Sequence, residues 1–468
     1  MRSSLLVFLL AAACNGGVPG RTDPMAVHVE GRAFRDGLGR QLLFRGYNAK
    51  AHGLFDVSFS DGRTPNYDFI DFGEPDAQRF EELGFDVIRL PVSWSALEPQ
   101  PRQYAAAFLS RLGEVLALAR LHHFWVLFDM HQDAYSKEIG EDGAPLWAIV
   151  PPPTMLLEGP SSDDRRLTNQ VLDAGFSFWN NAPATDGRPL QDAFIAAVQQ
   201  VARSHGSDPA LLGYDAFNEP VLFDVDLLDQ FHARFAAGIH AIDRDAPILF
   251  EPLGDRNQAD HARIAEAPWS DGPGAYAPHI YTGQFSMPSQ NGWESEDPTV
   301  LAPSMAAADV EAAAWGTPLF VGEFGCDQSI ARGPKWFDAE LDLQDAHLAS
   351  STAWARECGS WGLCDDAGVE RATTARVMSR LYPRAVAGDL IAIEHPEPGH
   401  LLVRYRASAR THGLAHEVSA STANVLDDYV VKCDGVEVAA ERATGRVSFV
   451  CPVADGEQTF ELVGTPAM

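Results

Sequence analysis

Basic residues are scarce. Across 468 residues, 35 Lys and Arg stand against 65 Asp and Glu, for a formal charge of −30. A surface this acidic repels phosphate backbones, which excludes nucleic acid as the partner. Cysteine is also sparse: none of the six falls in a CxxC or Cys/His spacing suited to structural zinc, so no metal site is expected. No Gly-rich phosphate loop follows a strand-like run, which argues against an open nucleotide-binding sheet. Short repeats are missing as well. What is present is ordinary for a folded chain, since 46% hydrophobic and 21% charged residues exclude a disordered one.

The N-terminus carries Arg2 and then a nine-residue apolar run, Leu5–Ala13. Nine residues cannot span a bilayer but suit a secretory signal, with Ala11, Ala12 and Ala13 offering a cleavage site. Small residues followed by Cys14 resemble the bacterial lipoprotein signal, in which that Cys becomes the lipidated first residue. Residues 1–13 are therefore expected to be a signal peptide and 14–27 a flexible linker. The mature chain is expected to be exported, either membrane-anchored or secreted. Export permits disulfides. Cys358 with Cys364 and Cys433 with Cys451 are candidate local pairs, an assignment that leaves Cys326 unpaired, though other pairings remain possible.

Between residues 28 and 388, strand-like runs alternate with helical patterns. The runs are Phe44–Lys50, Val87–Trp94, Trp125–Gln132, Gly213–Pro220, Pro247–Gly254, Ala275–Thr282, Pro318–Gly325 and Ser350–Glu357. Helical stretches include Ala105–Leu121, Asp192–Ser204, Val225–Ile242 and Ser304–Trp315. This alternation predicts an α/β fold, a (β/α)8 TIM barrel. Residues 389–468 change to short alternating runs punctuated by Asp434-Gly435 and Asp455-Gly456, which predicts a small C-terminal antiparallel β-sandwich. The barrel strands tend to end in polar or aromatic residues: Asn48, Arg89, His131, Asn218-Glu219, Glu251, His279 with Tyr281, Glu323 and Trp354. In a parallel barrel those ends share one mouth, where active sites sit.

Two carboxylates dominate that mouth. Glu219 lies in Phe217-Asn218-Glu219-Pro220 and Glu323 in Val321-Gly322-Glu323-Phe324-Gly325. Carboxyls about 5 Å apart suit retaining glycoside hydrolysis, one as nucleophile and the other as acid and then base. That division requires one to be protonated while the other is ionised. Asn-Glu-Pro on the fourth strand and Gly-Glu-Phe-Gly on the seventh, with Arg89, Asp129-Met130-His131, His279-Ile280-Tyr281 and Trp354, resemble glycoside hydrolase family five. The resemblance implies Glu219 as acid/base, Glu323 as nucleophile and Asn218 as the contact to the sugar 2-hydroxyl. It also implies Arg89 as the cation beside the nucleophile, and His279 and Tyr281 as hydrogen-bonding partners of the two carboxylates. His131 becomes a sugar donor and Trp354 the platform under the sugar ring. No cofactor is needed for this route.

Asp129–Ser136 (DMHQDAYS), Ala277–Tyr281 (APHIY) and Tyr382–Gly388 (YPRAVAG) further resemble the endoglycoceramidase branch, which implies a glycosphingolipid or related glycolipid substrate. Asp133 and Lys50 then match further sugar-binding positions. The stretch Arg356–Trp361 departs from that branch. Ala144–Leu157 (APLWAIVPPPTMLL) is either an apolar lip for a lipid or a lid packed on itself; the two read alike in sequence. A β-glucan endoglucanase or small-aglycone β-glucosidase is the alternative within the same family. A non-catalytic glycan-binding surface lipoprotein is the alternative outside it.

Overall fold

The computed structural model describes residues 21, 23–64, 69–159, 162–221, 224–257, 261, 272–281, 301–328, 333–425 and 428–466, with the side chains of 162 and 163 left aside. The signal run and Cys14 lie outside the described residues.

Eight barrel strands overlap the expected runs, with one correction: the fourth starts at Leu211 and stops at Asp215, so Asn218 and Glu219 lie past its end rather than on it. The strands are β1 (Arg45–Asn48), β2 (Val87–Ser93), β3 (Trp125–His131), β4 (Leu211–Asp215), β5 (Ile248–Phe250), β6 (Gly274–Tyr276, continued by His279–Ile280), β7 (Phe320–Phe324) and β8 (Ser350–Ala353). All neighbours pair in parallel, and the order runs from β1 to β8 and back to β1. A bridge between Tyr276 and Leu319 joins β6 to β7. Helices Ala106–Leu121, Leu190–His205, Val225–His240 and Ala302–Trp315 cover the outside with their apolar faces, within a residue or two of the expected bounds.

Two further expectations need correction. Residues 21 and 23–27 are packed against the barrel rather than forming a loose linker. Arg21 donates from Nη1 to the carbonyls of Leu211 (2.7 Å) and Leu212 (3.2 Å), and pairs through Nη2 with Asp243 at 2.9 Å. Val27 is buried with Phe34, Phe44, Val87, Leu127 and Phe320 at the floor of the barrel. The apolar N-terminal mouth needs such a plug, and short segments suffice to make it. The second correction is the domain boundary. Tyr382–Val386, assigned to the barrel from the sequence, is a strand of the sandwich. It pairs with His416–Ser419 on one edge and Gln41–Leu42 on the other, so the hairpin His28–Glu30/Ala33–Arg35 extends the same sheet. Strands of two or three residues leave no periodicity to read, and the pairing partners lie more than 300 residues apart.

The second sandwich sheet runs Gly388–Glu394, His400–Ala407, Gly456–Val463, Val430–Cys433, Val436–Val438. A disulfide joins Cys433 to Cys451, another joins Cys358 to Cys364, and Cys326 is a buried thiol.

His416 sits inside the sandwich, stacked on Phe449, with Nδ1 accepting from the amide of Ala387 at 3.2 Å. Burial, aided by the charge of Arg40, pushes this imidazole down to about 3. The unfolded chain protonates His near 6.5 and the folded chain does not. This residue's contribution is therefore complete above pH 6.5 and declines as pH falls toward 3. Urea unfolding from pH 7 to 5 is expected to show a shallower loss of stability for His416→Gln than for the parent.

Candidate active site

Arg89 is the third residue of β2, a strand buried throughout, and has no solvent exposure. Its Nε donates to Asp215 (2.9 Å), Nη1 to Asn48 (3.0 Å) and Glu323 (2.7 Å), and Nη2 to Asn218 (2.9 Å) and Glu251 (2.8 Å). Asp129 stands 3.0 Å from Nη2 as a further ion-pair partner. A guanidinium has five N–H donors, and all five are used. A buried charge persists only when paired and hydrogen-bonded to this degree.

Glu323 and Glu219 face one another at the mouth, with one oxygen of each and a ring nitrogen of His279 all within 4.8 Å of one another. Glu323 receives Arg89 on Oε1 and the Tyr281 hydroxyl on Oε2 at 2.8 Å. Glu219 lies beyond the end of β4, in a loop, with a left-handed backbone (φ 44°). Such a conformation is unfavourable for a residue with a side chain and is held only where its surroundings impose it. Here its amide donates to Glu251 at 2.9 Å, and its carboxylate takes hydrogen bonds from Asn257 (2.6 Å) and His279 Nδ1 (2.9 Å). Glu251, buried and hydrogen-bonded to Arg89 and the Glu219 amide, stands 3.2 Å from His279 Nε2 as an ion-pair neighbour.

The other expected residues gather around this pair. His131 is held by Asp129 through Nδ1 and stacks on the half-buried Trp354, with ring centroids 5.7 Å apart and an interplanar angle of 9°. Lys50 Nζ lies 4.7 Å from the Trp354 ring and 4.6 Å from that of Phe55. Asp133 pairs with Arg166 at 2.8 Å, and the same guanidinium reaches to 3.8 Å from Glu219. Asn257, Arg166, Asp215 and Asp142 escaped the sequence reading. Asp215, an acid inside the apolar run Leu211–Asp215, was the one with a local signal.

The charge pattern differs from the simple expectation. Burial raises the Glu219 carboxyl, but the His279 hydrogen bond and the charges of His279, Arg166 and His131 outweigh it and hold Glu219 down to about 2. Burial raises Glu323, with His279 and Arg89 opposing. His131 is carried up to about 10 because Asp129 and Asp142 overcome its burial. Glu219 is thus the more readily ionised of the two in this arrangement, the reverse of the expected split. The physical reason is the convergence of Asn257, His279 and Arg166 on its carboxylate.

Among the described residues, three groups of side chains are compact enough for a cation: His131/Asp133/Asp142, Glu219/His279/Glu323 and Asp129/Asp215/Glu251. Arg89 already neutralises the last, and Arg89 and Arg166 serve the other two. Burial pushes the Asp142 carboxyl well above the usual carboxylate range, with the charge of His131 opposing.

The insertion after β3 is packed in part and exposed in part. Trp147, Ala148 and Ile149 are buried, with Trp147 Nε1 bonded to the Glu98 carbonyl at 3.0 Å and Tyr135 to that of Ala148 at 2.8 Å. Leu146, Met155 and Leu156 stay exposed, as do Leu167 (77%), Phe176 (71%) and Val221 (60%).

The profile of the family described as Cellulase (glycosyl hydrolase family 5) matches residues 63–357. Endoglycoceramidase I of Rhodococcus hoagii is 25% identical over 465 residues, covering 92% of this chain and 86% of that protein. The endoglycoceramidase of Cyanea nozakii is 26% identical over 249 residues, 47% of this chain and 48% of that protein. A solved structure of endo-glycoceramidase II from Rhodococcus sp., in complex with ganglioside GM3, shares the fold with a TM-score of 0.78 at 22% identity, over 92% of this chain and 99% of that one. With a barrel, two facing glutamates and a profile match over more than half its length, the chain belongs to glycosyl hydrolase family 5 and is a glycoside hydrolase.

Proposed function

We propose that this enzyme is a retaining endo-β-glycosidase that cleaves the bond between the sugar headgroup and ceramide in glycosphingolipids or related glycolipids. The observation that carries the reading is the pair of carboxyls at the barrel mouth, with an oxygen of each within 4.8 Å of the other. That spacing leaves no room for a water between carboxyl and sugar and suits direct attack. The named activity of the relatives supports the same substrate class.

Glu323 attacks the anomeric carbon, with Arg89 and Tyr281 stabilising its ionised form. Glu219 protonates the departing oxygen, then takes a proton from the water that frees the sugar. Asn218, fixed by Arg89, is placed for the 2-hydroxyl, and Trp354, His131, Lys50 and Asp133 supply the sugar platform. The exposed row of Leu146, Met155, Leu156, Leu167 and Phe176 receives the alkyl chains, where each buried CH2 contributes about 0.8 kcal/mol. The enzyme works outside the cytoplasm, anchored by Cys14 or secreted, which fits its two disulfides.

Arg166 reconciles the low Glu219 with its duty as an acid. The leaving oxygen has to enter beside Glu219, where the guanidinium now stands 3.8 Å away. Displacing that charge and covering the carboxylate both move Glu219 upward. Arg166→Gln is expected to shift the alkaline limb of the kcat/KM profile, which requires protonated Glu219, to higher pH. An unmoved limb would show that Arg166 does not govern the acid.

Mass spectrometry of products from residues 15–468 with lactosylceramide in mild detergent tests the reading as a whole. Intact lactose plus ceramide is expected. Galactose plus glucosylceramide would mean exo-cleavage, and activity on cello-oligosaccharides alone would assign a polysaccharide substrate.

A further inference from the structure

The loop after β8 is built more firmly than an exposed connection requires. The family match ends at residue 357, and the Cys358–Cys364 disulfide begins at the next residue. Within the loop, Gly362 is fixed by space: a Cβ there would fall 1.7 Å from the Glu357 carbonyl oxygen. Gln328, itself buried, binds the loop from the β7 side. Its amide donates to the Ser360 carbonyl (2.6 Å), its side chain donates to the carbonyls of Trp361 (3.2 Å) and Gly362 (2.8 Å), and it accepts from Thr374 (2.6 Å). Arg371 donates to the Gly359 carbonyl at 2.9 Å. At the other end, Glu357 accepts from the Lys50 amide at 2.6 Å.

All this bracing fixes one half-buried aromatic ring. Trp361 meets Tyr281 edge-on, with centroids 5.9 Å apart at 71°, and a Cβ at Gly325 would lie 3.5 Å from it. Tyr281 is the residue whose hydroxyl donates to Glu323. An edge-to-face contact resists swinging of the whole Tyr281 ring about its Cα–Cβ bond, and the phenol oxygen at the tip of the ring moves with that swing.

We propose that Trp361, pinned by the Cys358–Cys364 bridge, is a positioning residue that holds the Tyr281 hydroxyl on Glu323, so that turnover depends on this disulfide. The role in turnover rests on the glycosidase reading; the positioning itself does not. Loosening Tyr281 withdraws a hydrogen bond from the ionised carboxylate, which raises its proton affinity.

The test compares wild type, Trp361→Phe, Trp361→Ala, Cys358→Ser/Cys364→Ser and, as a control, Cys433→Ser/Cys451→Ser on lactosylceramide. Trp361→Ala and the Cys358/Cys364 variant are expected to lose roughly tenfold or more in kcat with KM little changed. Their acid limb should move to higher pH. Trp361→Phe keeps an aromatic edge and should retain most of the rate, and the sandwich control should leave the limb in place. Carbon-13 NMR of the glutamate carboxyls, with Glu323 assigned by Glu323→Gln, reads the same coupling without turnover: its titration should move up in Trp361→Ala. A wild-type kcat and an unmoved titration in both Trp361→Ala and the Cys358/Cys364 variant would overturn the proposal. An inert wild type whose Glu323 titration still moves would overturn the substrate reading and leave the positioning intact.

Discussion

Everything at the mouth of this barrel depends on one buried cation. Arg89 binds side chains from β1 (Asn48), β3 (Asp129), β4 (Asp215) and β7 (Glu323), with Asn218 beyond β4 and Glu251 just past β5, and so ties five strands including its own to the loops of the mouth. Each carboxylate there would be costly to bury alone, and so would the guanidinium. Together they make a network that fixes strand register and aims Glu323 and Asn218 at once. Structure and chemistry are therefore not separable at this position, and the surrounding residues act through what Arg89 leaves them. Glu251 uses its remaining oxygen to hold the Glu219 amide, and with it the left-handed turn that carries the second carboxyl.

The mouth is also divided. On the Glu219 side stands the insertion with its exposed apolar row, reaching the acid through Arg166. On the Glu323 side stand Tyr281, Trp361 and the disulfide loop, continuous through Glu357 and Lys50 with the Trp354 platform. The two sides meet at the two glutamates.

Much of this was legible in the sequence because barrel strands announce themselves twice, by apolar alternation with helices and by polar ends. Asn48, Arg89, His131, Glu219, His279, Tyr281 and Glu323 could all be named in that way. Asn257 could not, because it sits on a 3-10 turn after β5 (Gly254–Asn257) where no period marks it. Arg166 belongs to a short helix of the insertion, and its distance to Glu219 depends on how that insertion folds over the mouth. The floor plug escaped for a different reason: Arg21 and Val27 are isolated contacts, and the strands from His28 to Leu42 are too short to show a pattern. The insertion itself was ambiguous in sequence because buried and exposed apolar residues alternate within Ala144–Leu157, and only packing separates Trp147 from Leu146.

Double displacement requires Glu323 to form a covalent bond to the sugar while Glu219 handles the proton. Incubation with an activated 2-deoxy-2-fluoro-β-glycoside, followed by proteolysis and mass spectrometry, tests it directly, because the fluorine slows release of the glycosyl-enzyme. The account predicts one sugar per chain, carried by the peptide containing Glu323 and absent in Glu323→Gln. A sugar on the peptide containing Glu219, or rapid turnover with inverted product and no adduct, would contradict it.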